Sequence, residues 1–267
     1  MDKILSYSNI PEDIKYKMDQ LIRSSTTAIL GFDENDDFIN GLLASGTFVE
    51  INGKYGLLTA KHVYSAFKEK ATYMSFCILD IKHYVKEKIE YLRCYFPDNS
   101  SDICFIEIPT PILGTIKAVK IFHPILKDNF SEIEAIKNNV WITIGFPLEI
   151  QSIEDKHLMN FTYLTHLTKY SNVTDIWDEV ELDIHTKKLK PDFPKSLGGM
   201  SGGGIWNFHG YYNEIDGKLN FFIKLDPKNA LIAGVNFYQE FSQEEKVCKI
   251  LGVGPRSIYQ GMTKVVK

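Results

Sequence analysis

Residues 196–206 read SLGGMSGGGIW, and five of the chain's eighteen glycines crowd into this stretch around one serine, Ser201. Such a cluster can wrap a phosphate, turn a corner or present a nucleophile, and each use demands different neighbours. A Walker-type phosphate loop ends in Lys followed by Ser or Thr, whereas Gly204 is followed by Ile205 and Trp206. The dinucleotide fingerprint also fails, because no three of these glycines have its spacing. Gly199-Met200-Ser201-Gly202-Gly203 does match the G-x-S-x-G elbow of α/β hydrolases letter for letter. That fold places its acid and base after the serine, yet the sole histidine beyond Ser201 is His209, in the next strand, and the text does not alternate β and α. The match is accidental.

Composition narrows the alternatives. The 267 residues suffice for one large domain or two small ones, and 44% apolar with 24% charged residues is ordinary for a globular protein. A net charge of −4 leaves no footprint for nucleic acid or an anionic membrane, so neither is expected as a partner. The N-terminus MDKILSYSNIPEDIKYK lacks the basic-then-apolar order of a secretory signal, and no apolar run is long enough to span a bilayer. Cys77, Cys94, Cys104 and Cys248 have no zinc or redox spacing, and neither metal nor cofactor is expected. Cys77 and Cys104 sit in the apolar runs SFCIL and DICFI, where a thiol behaves as a small hydrophobe. Reduced thiols point to a cytoplasmic protein, with a processed secreted form as the alternative.

Residues 11–24 carry Ile14, Met18, Leu21 and Ile22 at helical spacing, with Pro11 suited to a first turn. Strand and turn signals then take over. TTAILGF leads through the acidic turn DENDD to GLLASGTFVEI, the hairpin signal NGKYG and GLLTA. TYMSFCILDI, HYVKEKIEYLRCYF, DICFIEI, VWITIGF, FTYLTHLT, DEVELDIH, GGGIWNF, LNFFIKL and ALIAGVNFY continue the series. A short helix is expected over KHVYSAFKEK and a closing helix over PRSIYQGMTKVV. Many strands and few helices indicate an all-β barrel or sandwich. The expected units are 1–24, a helical extension; 25–120, a first barrel; and 121–267, a second barrel. Their join falls within 112–138, where strand signals fade.

A serine nucleophile needs a base, and the base needs an orienting acid. Upstream of Ser201, His62 lies in GLLTAKHVYSA, at the end of a strand and the start of a helix, and Asp102 lies in SSDICFIEI, directly before an apolar strand. In this order and approximate spacing the chain resembles the chymotrypsin/trypsin-like serine proteases. SGTFVEINGKYGLLTAKHV resembles that family's strand, hairpin and strand leading into T-A-x-H. SDICFIEIP resembles its D-I-A-L-L strand, and GGMSGGGIW its G-x-S-G-G segment. VWITIGFP and ALIAGVNF echo its second-barrel strands, so the resemblance covers roughly residues 25 to 240.

The resemblance implies two six-stranded antiparallel β-barrels and a serine endopeptidase that forms an acyl-enzyme on Ser201. His62 would act as general base and acid, Asp102 would orient it, and the backbone amides of Gly199 and Ser201 would form the oxyanion hole. It further implies a polypeptide substrate held by Gly234, Val235 and Asn236 through β-addition, and Lys195 near the floor of the primary specificity pocket. A basic floor would favour acidic or polar residues before the scissile bond. Three departures stand out. Met200 precedes the serine where the digestive enzymes carry an acid that receives a newly cut N-terminus, so no activation of that kind is expected. The family's disulfides are missing, and Lys61 replaces a small residue beside His62. It is expected to project to solvent.

Other residues of the same types have ordinary uses. His83, His123, His157, His166, His185 and His209 read as satisfied core histidines, and Asp98 as a turn residue. Two rivals share the fold: a latent protease that needs a regulatory or activating protein partner, as in a bacterial defence or signalling system, and a non-catalytic peptide-binding module.

Overall fold

The computed structural model describes residues 11–78, 83–97, 101–129, 140–150, 152–155, 158–160, 164–174, 178–185, 196–208, 210–215, 218–223, 230–242 and 247–267. Helix α1 (Glu12–Ser25) starts behind Pro11 and buries Met18 and Ile22. Its last carbonyls would be orphans, but the Lys120 ammonium donates to the carbonyls of Arg23 (3.0 Å) and Thr26 (2.7 Å).

The first sheet contains β1 (Thr26–Phe32), β2 (Phe38–Ile51), β3 (Lys54–Thr59), β4 (Tyr73–Cys77), β5 (Tyr84–Lys88), β6 (Arg93–Tyr95), β7 (Cys104–Glu107) and the two-residue β8 (His123–Pro124). Its order is β5-β4-β1-β2-β3-β7-β6, and β8 pairs in parallel with Val49 and Glu50 of β2. The β2–β3 register is fixed by Asn52 and Gly53, whose φ of 51° and 80° suit the two-residue turn that matches strand twist. Helices α2 (Lys61–Lys70) and α3 (Thr110–Lys117) leave the ends of β3 and β7.

The second half holds β9 (Val140–Gly145), the small hairpin β10 (Ser152–Asp155)–β11 (Leu158–Asn160), β12 (Leu164–Thr174), β13 (Glu179–His185) and β14 (Gly204–Phe208). The hairpin β15 (Gly210–Ile215)–β16 (Lys218–Ile223), then β17 (Ala230–Ser242) and β18 (Val247–Val253), follow. Six of these close a barrel in the order β12-β13-β18-β17-β14-β9. A π-helical stretch (Ser257–Met262) and one α-turn (Thr263–Val265) finish the chain.

Of the two six-stranded barrels expected, the second half closes one; the first half is an eight-stranded sheet in which, among the described residues, the end strands β5 and β6 do not pair with each other. The sequence reading passed over α3, β8, β10, β11, β15 and β18, and read HYVKEKIEYLRCYF as one strand. β18 (VCKILGV) is diluted by Lys249 and Gly252, HYVKEKIEYLRCYF is broken into β5 and β6 by a 3₁₀ turn (Ile89–Tyr91), and α3 hides in the fading stretch.

One apolar cluster runs through both halves. Met18 and Ile22 of α1, Val49 and Ile51 of β2 and Phe105 of β7 join Ile144, Ile205 and Trp206 of the barrel, and Ile258, Tyr259 and Met262 of the closing helix. Fully burying one such Ile is worth roughly 1.5–3 kcal/mol. The closing helix is also tied to the β2–β3 turn, where the Asn52 amide donates to the carbonyls of Thr263 (2.8 Å) and Val266 (2.7 Å). Among the described residues no helix is long and apolar enough to cross a membrane.

Candidate active site

The β3–β7 register pairs Thr59 with Cys104. Carried two residues further along each strand, it sets Asp102 beside the start of α2, where His62 lies in the first turn. The contact is double. His62 Nδ1 is 2.5 Å from Asp102 Oδ2, and the His62 backbone N–H donates to Oδ1 at 2.8 Å. Burial alone would raise the Asp102 pKa, but the hydrogen bonds and charge of His62, with the Lys61 backbone, outweigh it and hold the carboxyl below its usual range. His62 stays half-exposed. Lys61 projects to solvent, its ammonium 5.5 Å from the centre of the Phe96 ring.

Ser201 sits in a turn built by two left-handed glycines, Gly199 (φ 94°) and Gly202 (φ 87°). A Cβ on Gly202 would come within 2.0 Å of Thr59 Oγ1 and 2.1 Å of the Ser45 carbonyl, so only glycine lets the turn approach β2 and β3. Ser45 then clamps it. Its backbone N–H donates to the Ser201 carbonyl (3.0 Å), its hydroxyl donates to the Gly199 carbonyl (2.7 Å) and accepts from the Phe146 N–H (2.9 Å), and its own carbonyl accepts from Thr59 Oγ1 (2.8 Å). The Ser201 turn thus packs on the strand end from which α2, carrying His62, departs. Ser45 was not singled out from the sequence, where only the small-residue run Ala44-Ser45-Gly46 hints at close approach.

The structure brings His62 and Asp102 into contact and seats the Ser201 turn on Ser45 and Thr59. Among the described residues it shows no hydrogen bond from the Ser201 hydroxyl to the His62 ring. Met200 is buried, its N–H on the Leu197 carbonyl at 2.9 Å.

No family model matches the chain, and no curated protein does. The solved structures similar in outline include the following two. A scabies mite inactivated protease paralogue, S-I1, is 11% identical with a TM-score of 0.47, over 88% of this chain and 91% of that one. A structure from work on the Sesbania mosaic virus VPg protein is 13% identical with a TM-score of 0.36, over 75% of this chain and 85% of that one. Likenesses this remote say nothing about chemistry.

A cleft of about 270 Å³ opens at Ser201, between the Leu197–Ser201 turn and Asn236–Gln239 of β17, with Ile250 beneath. The substrate strand was expected at Gly234, Val235 and Asn236. Gly234 and Val235 are buried, and the barrel already uses their backbone: Gly234 lies opposite Ile205, and Val235 opposite Gly204 and Val253. Asn236 is buried too, its N–H on the Gly203 carbonyl and its own carbonyl receiving the Gly202 N–H. The part of β17 that lines the cleft with side chains still accessible is Phe237–Gln239. Lys195 lies outside the described residues, as do Asp98, His157 and His209. Of His166 and His185 only the backbone is described, in β12 and β13. His123 is buried as expected, but His83 is exposed at the head of β5.

Among the described residues no group of His, Cys, Asp and Glu is arranged to hold a metal. None of the four cysteines is in a disulfide; Cys77, Cys104 and Cys248 are buried, and burial pushes the Cys104 thiol well up.

Proposed function

We propose that the chain is a serine endopeptidase. The observation that carries this reading is the double hydrogen bond of Asp102 to His62. A carboxylate kept ionised on Nδ1 holds the imidazole in the tautomer whose Nε2 is free to accept a proton, which is what a serine nucleophile requires. In this reading Ser201 attacks the peptide carbonyl while His62 takes its proton. The leaving amine recovers that proton from His62, and water then cleaves the acyl-enzyme by the same route. The amides of Gly199 and Ser201 donate no hydrogen bond among the described residues, as two donors reserved for a developing oxyanion must not. Residues 1–24, 25–120 and 121–267 stay its units, although β8 carries the first sheet to Pro124.

The test is covalent labelling of purified protein by a fluorophosphonate probe. Labelling is expected at Ser201 and is abolished in Ser201→Ala and His62→Ala. No labelling of folded wild-type protein, alone or with candidate partner proteins, refutes the reading.

A further inference from the structure

Two thiols lie beside the start of α2. Cys94 of β6 stands opposite Ile106 of β7, so Cys94 and Cys104 are diagonal neighbours on one face of the sheet, and their thiols interact directly. Cys104 is buried, and its S–H donates to the carbonyl of Ala60 at 3.7 Å. Ala60 is the residue from which α2 starts, two before His62, and Cys104 lies two after Asp102. The pair therefore touches both chain segments that bring carboxylate and imidazole together.

The two thiols differ in access. Cys94 is half-buried and lines a cavity with Tyr64, Phe96 and the exposed Ser65, Lys68 and Glu69, where a small oxidant reaches it. Burial holds the Cys104 thiol well above its ordinary range, so it stays protonated and shielded from solvent. An accessible thiol beside a protected one is the arrangement in which the first is oxidised and the second resolves it. β6 is three residues long and, among the described residues, pairs only with β7, so this edge strand is free to follow a closing bond.

We propose that Cys94 and Cys104 form a reversible disulfide switch acting on the His62–Asp102 pair, with hydrogen peroxide as the oxidant. The Cys94 sulfur attacks the peroxide, the O–O bond breaks, and the products are a sulfenic acid and one water. The Cys104 sulfur then attacks the Cys94 sulfur; its proton leaves with the displaced hydroxyl as a second water, and the S–S bond forms. The two thiols lose two electrons and two protons, and the peroxide gains them. A dithiol reverses the bond by exchange. At about 2.05 Å the bond takes the S–H donor from the Ala60 carbonyl and draws the chain beside Asp102 toward the sheet edge. Its effect on proteolysis rests on the hydrolytic reading above: oxidation slows attack by Ser201.

Wild-type, Cys94→Ser and Cys104→Ala proteins are treated with hydrogen peroxide and then with dithiothreitol. Intact mass and peptide mapping read the bond, the His62 ring resonances in NMR read the site, and fluorophosphonate labelling of Ser201 reads the chemistry. Oxidised wild type is expected to lose two hydrogens and to yield a cross-linked Cys94–Cys104 peptide. Its His62 resonances shift and its labelling slows roughly tenfold, both restored by dithiothreitol. Cys94→Ser, altered only at the half-buried edge position, forms no such peptide and keeps its labelling rate under peroxide. Oxidation of Cys94 without a bond to Cys104, a bond that leaves the His62 resonances unmoved, or equal labelling of the reduced and cross-linked forms overturns the switch and leaves the hydrolytic reading standing. Equal slowing of wild type and Cys94→Ser by peroxide overturns it too. A bond and shifted resonances with no labelling of either form overturn the hydrolytic reading alone. Neither bond nor labelling overturns both.

Discussion

Asp102 grips His62 at two points, its Oδ2 on the ring Nδ1 at 2.5 Å and its Oδ1 on the backbone N–H at 2.8 Å. One carboxylate therefore fixes the ring and the first turn of α2 together. The arrangement depends on β3–β7 pairing, which brings Asp102 past the end of β3 before β7 begins. A shift of one residue in that register would turn the carboxylate to the other face of the sheet.

Asp102→Asn separates electrostatics from scaffolding. The amide oxygen can still accept the backbone N–H, but an NH₂ facing Nδ1 favours the wrong tautomer. Fluorophosphonate labelling of Ser201 is expected to slow by about 10³–10⁴, with little change in the melting temperature. A labelling rate within a few fold of wild type would remove Asp102 from the mechanism.

Ser45→Ala tests the clamp beneath the nucleophile. Removing the hydroxyl strands the Gly199 carbonyl and the Phe146 N–H, which it joins at 2.7 and 2.9 Å, and the expected cost is about 1–3 kcal/mol. Labelling should weaken as well, because the turn then loses a fixed partner. Gly202→Ala should be worse, since its Cβ collides with Thr59 and φ is 87°. Thermal unfolding of the two variants checks the order, and equal melting temperatures for Ser45→Ala and wild type would contradict the clamp.

The parts of the fold that were legible are those whose signal is local. The Asn52-Gly53 hairpin, the apolar runs of β1 and β7 and the helical spacing of α1 each depend on neighbours in sequence. Closure of a sheet does not, because it is decided by which end strands meet, and so the strand order of the first half was not legible. The candidate residues His62 and Asp102 were visible through their flanking strands. Ser45 was not, because a serine inside a strand has the same letters around it whether or not its hydroxyl reaches a turn 154 residues away. The expected substrate strand meets the same limit: the pattern ALIAGVNFY shows a strand but not the residue at which its edge stops being paired.

The closing helix offers a third measurement. Asp178 accepts the N–H groups of Arg256 (3.1 Å) and Ser257 (2.5 Å), and Ser257 Oγ meets the hydroxyl of Ser101, next to Asp102, at 2.8 Å. Ser257→Ala should cost about 1 kcal/mol, and Asp178→Asn about 1–2 kcal/mol, because the amide keeps one acceptor oxygen and turns an NH₂ toward one of the two backbone N–H groups. If this chain steadies Asp102, the His62 ring resonances in NMR shift in both variants. Unmoved ring resonances in folded variants would confine the network to stability.

His123 predicts how stability follows pH. It is 3% exposed in β8, with its ring 5.1 Å from that of Trp206 and hydrogen bonded to the backbone of Ala230, so it joins the first sheet to the barrel. Burial lowers its pKa from 6.5 to about 4, the Ala230 bond offsetting only part of the effect. The unfolded chain therefore binds a proton at this site between about pH 6.5 and 4 that the folded chain refuses. Stability from the neutral ring is complete above pH 6.5 and drains away as pH falls toward 4, by up to ~3 kcal/mol. His123→Phe cannot titrate, and although it forfeits the Ala230 bond it should show a shallower fall in urea-unfolding free energy between pH 6.5 and 4. Parallel curves for the variant and wild type across that window would show that the histidine is not the group refusing the proton.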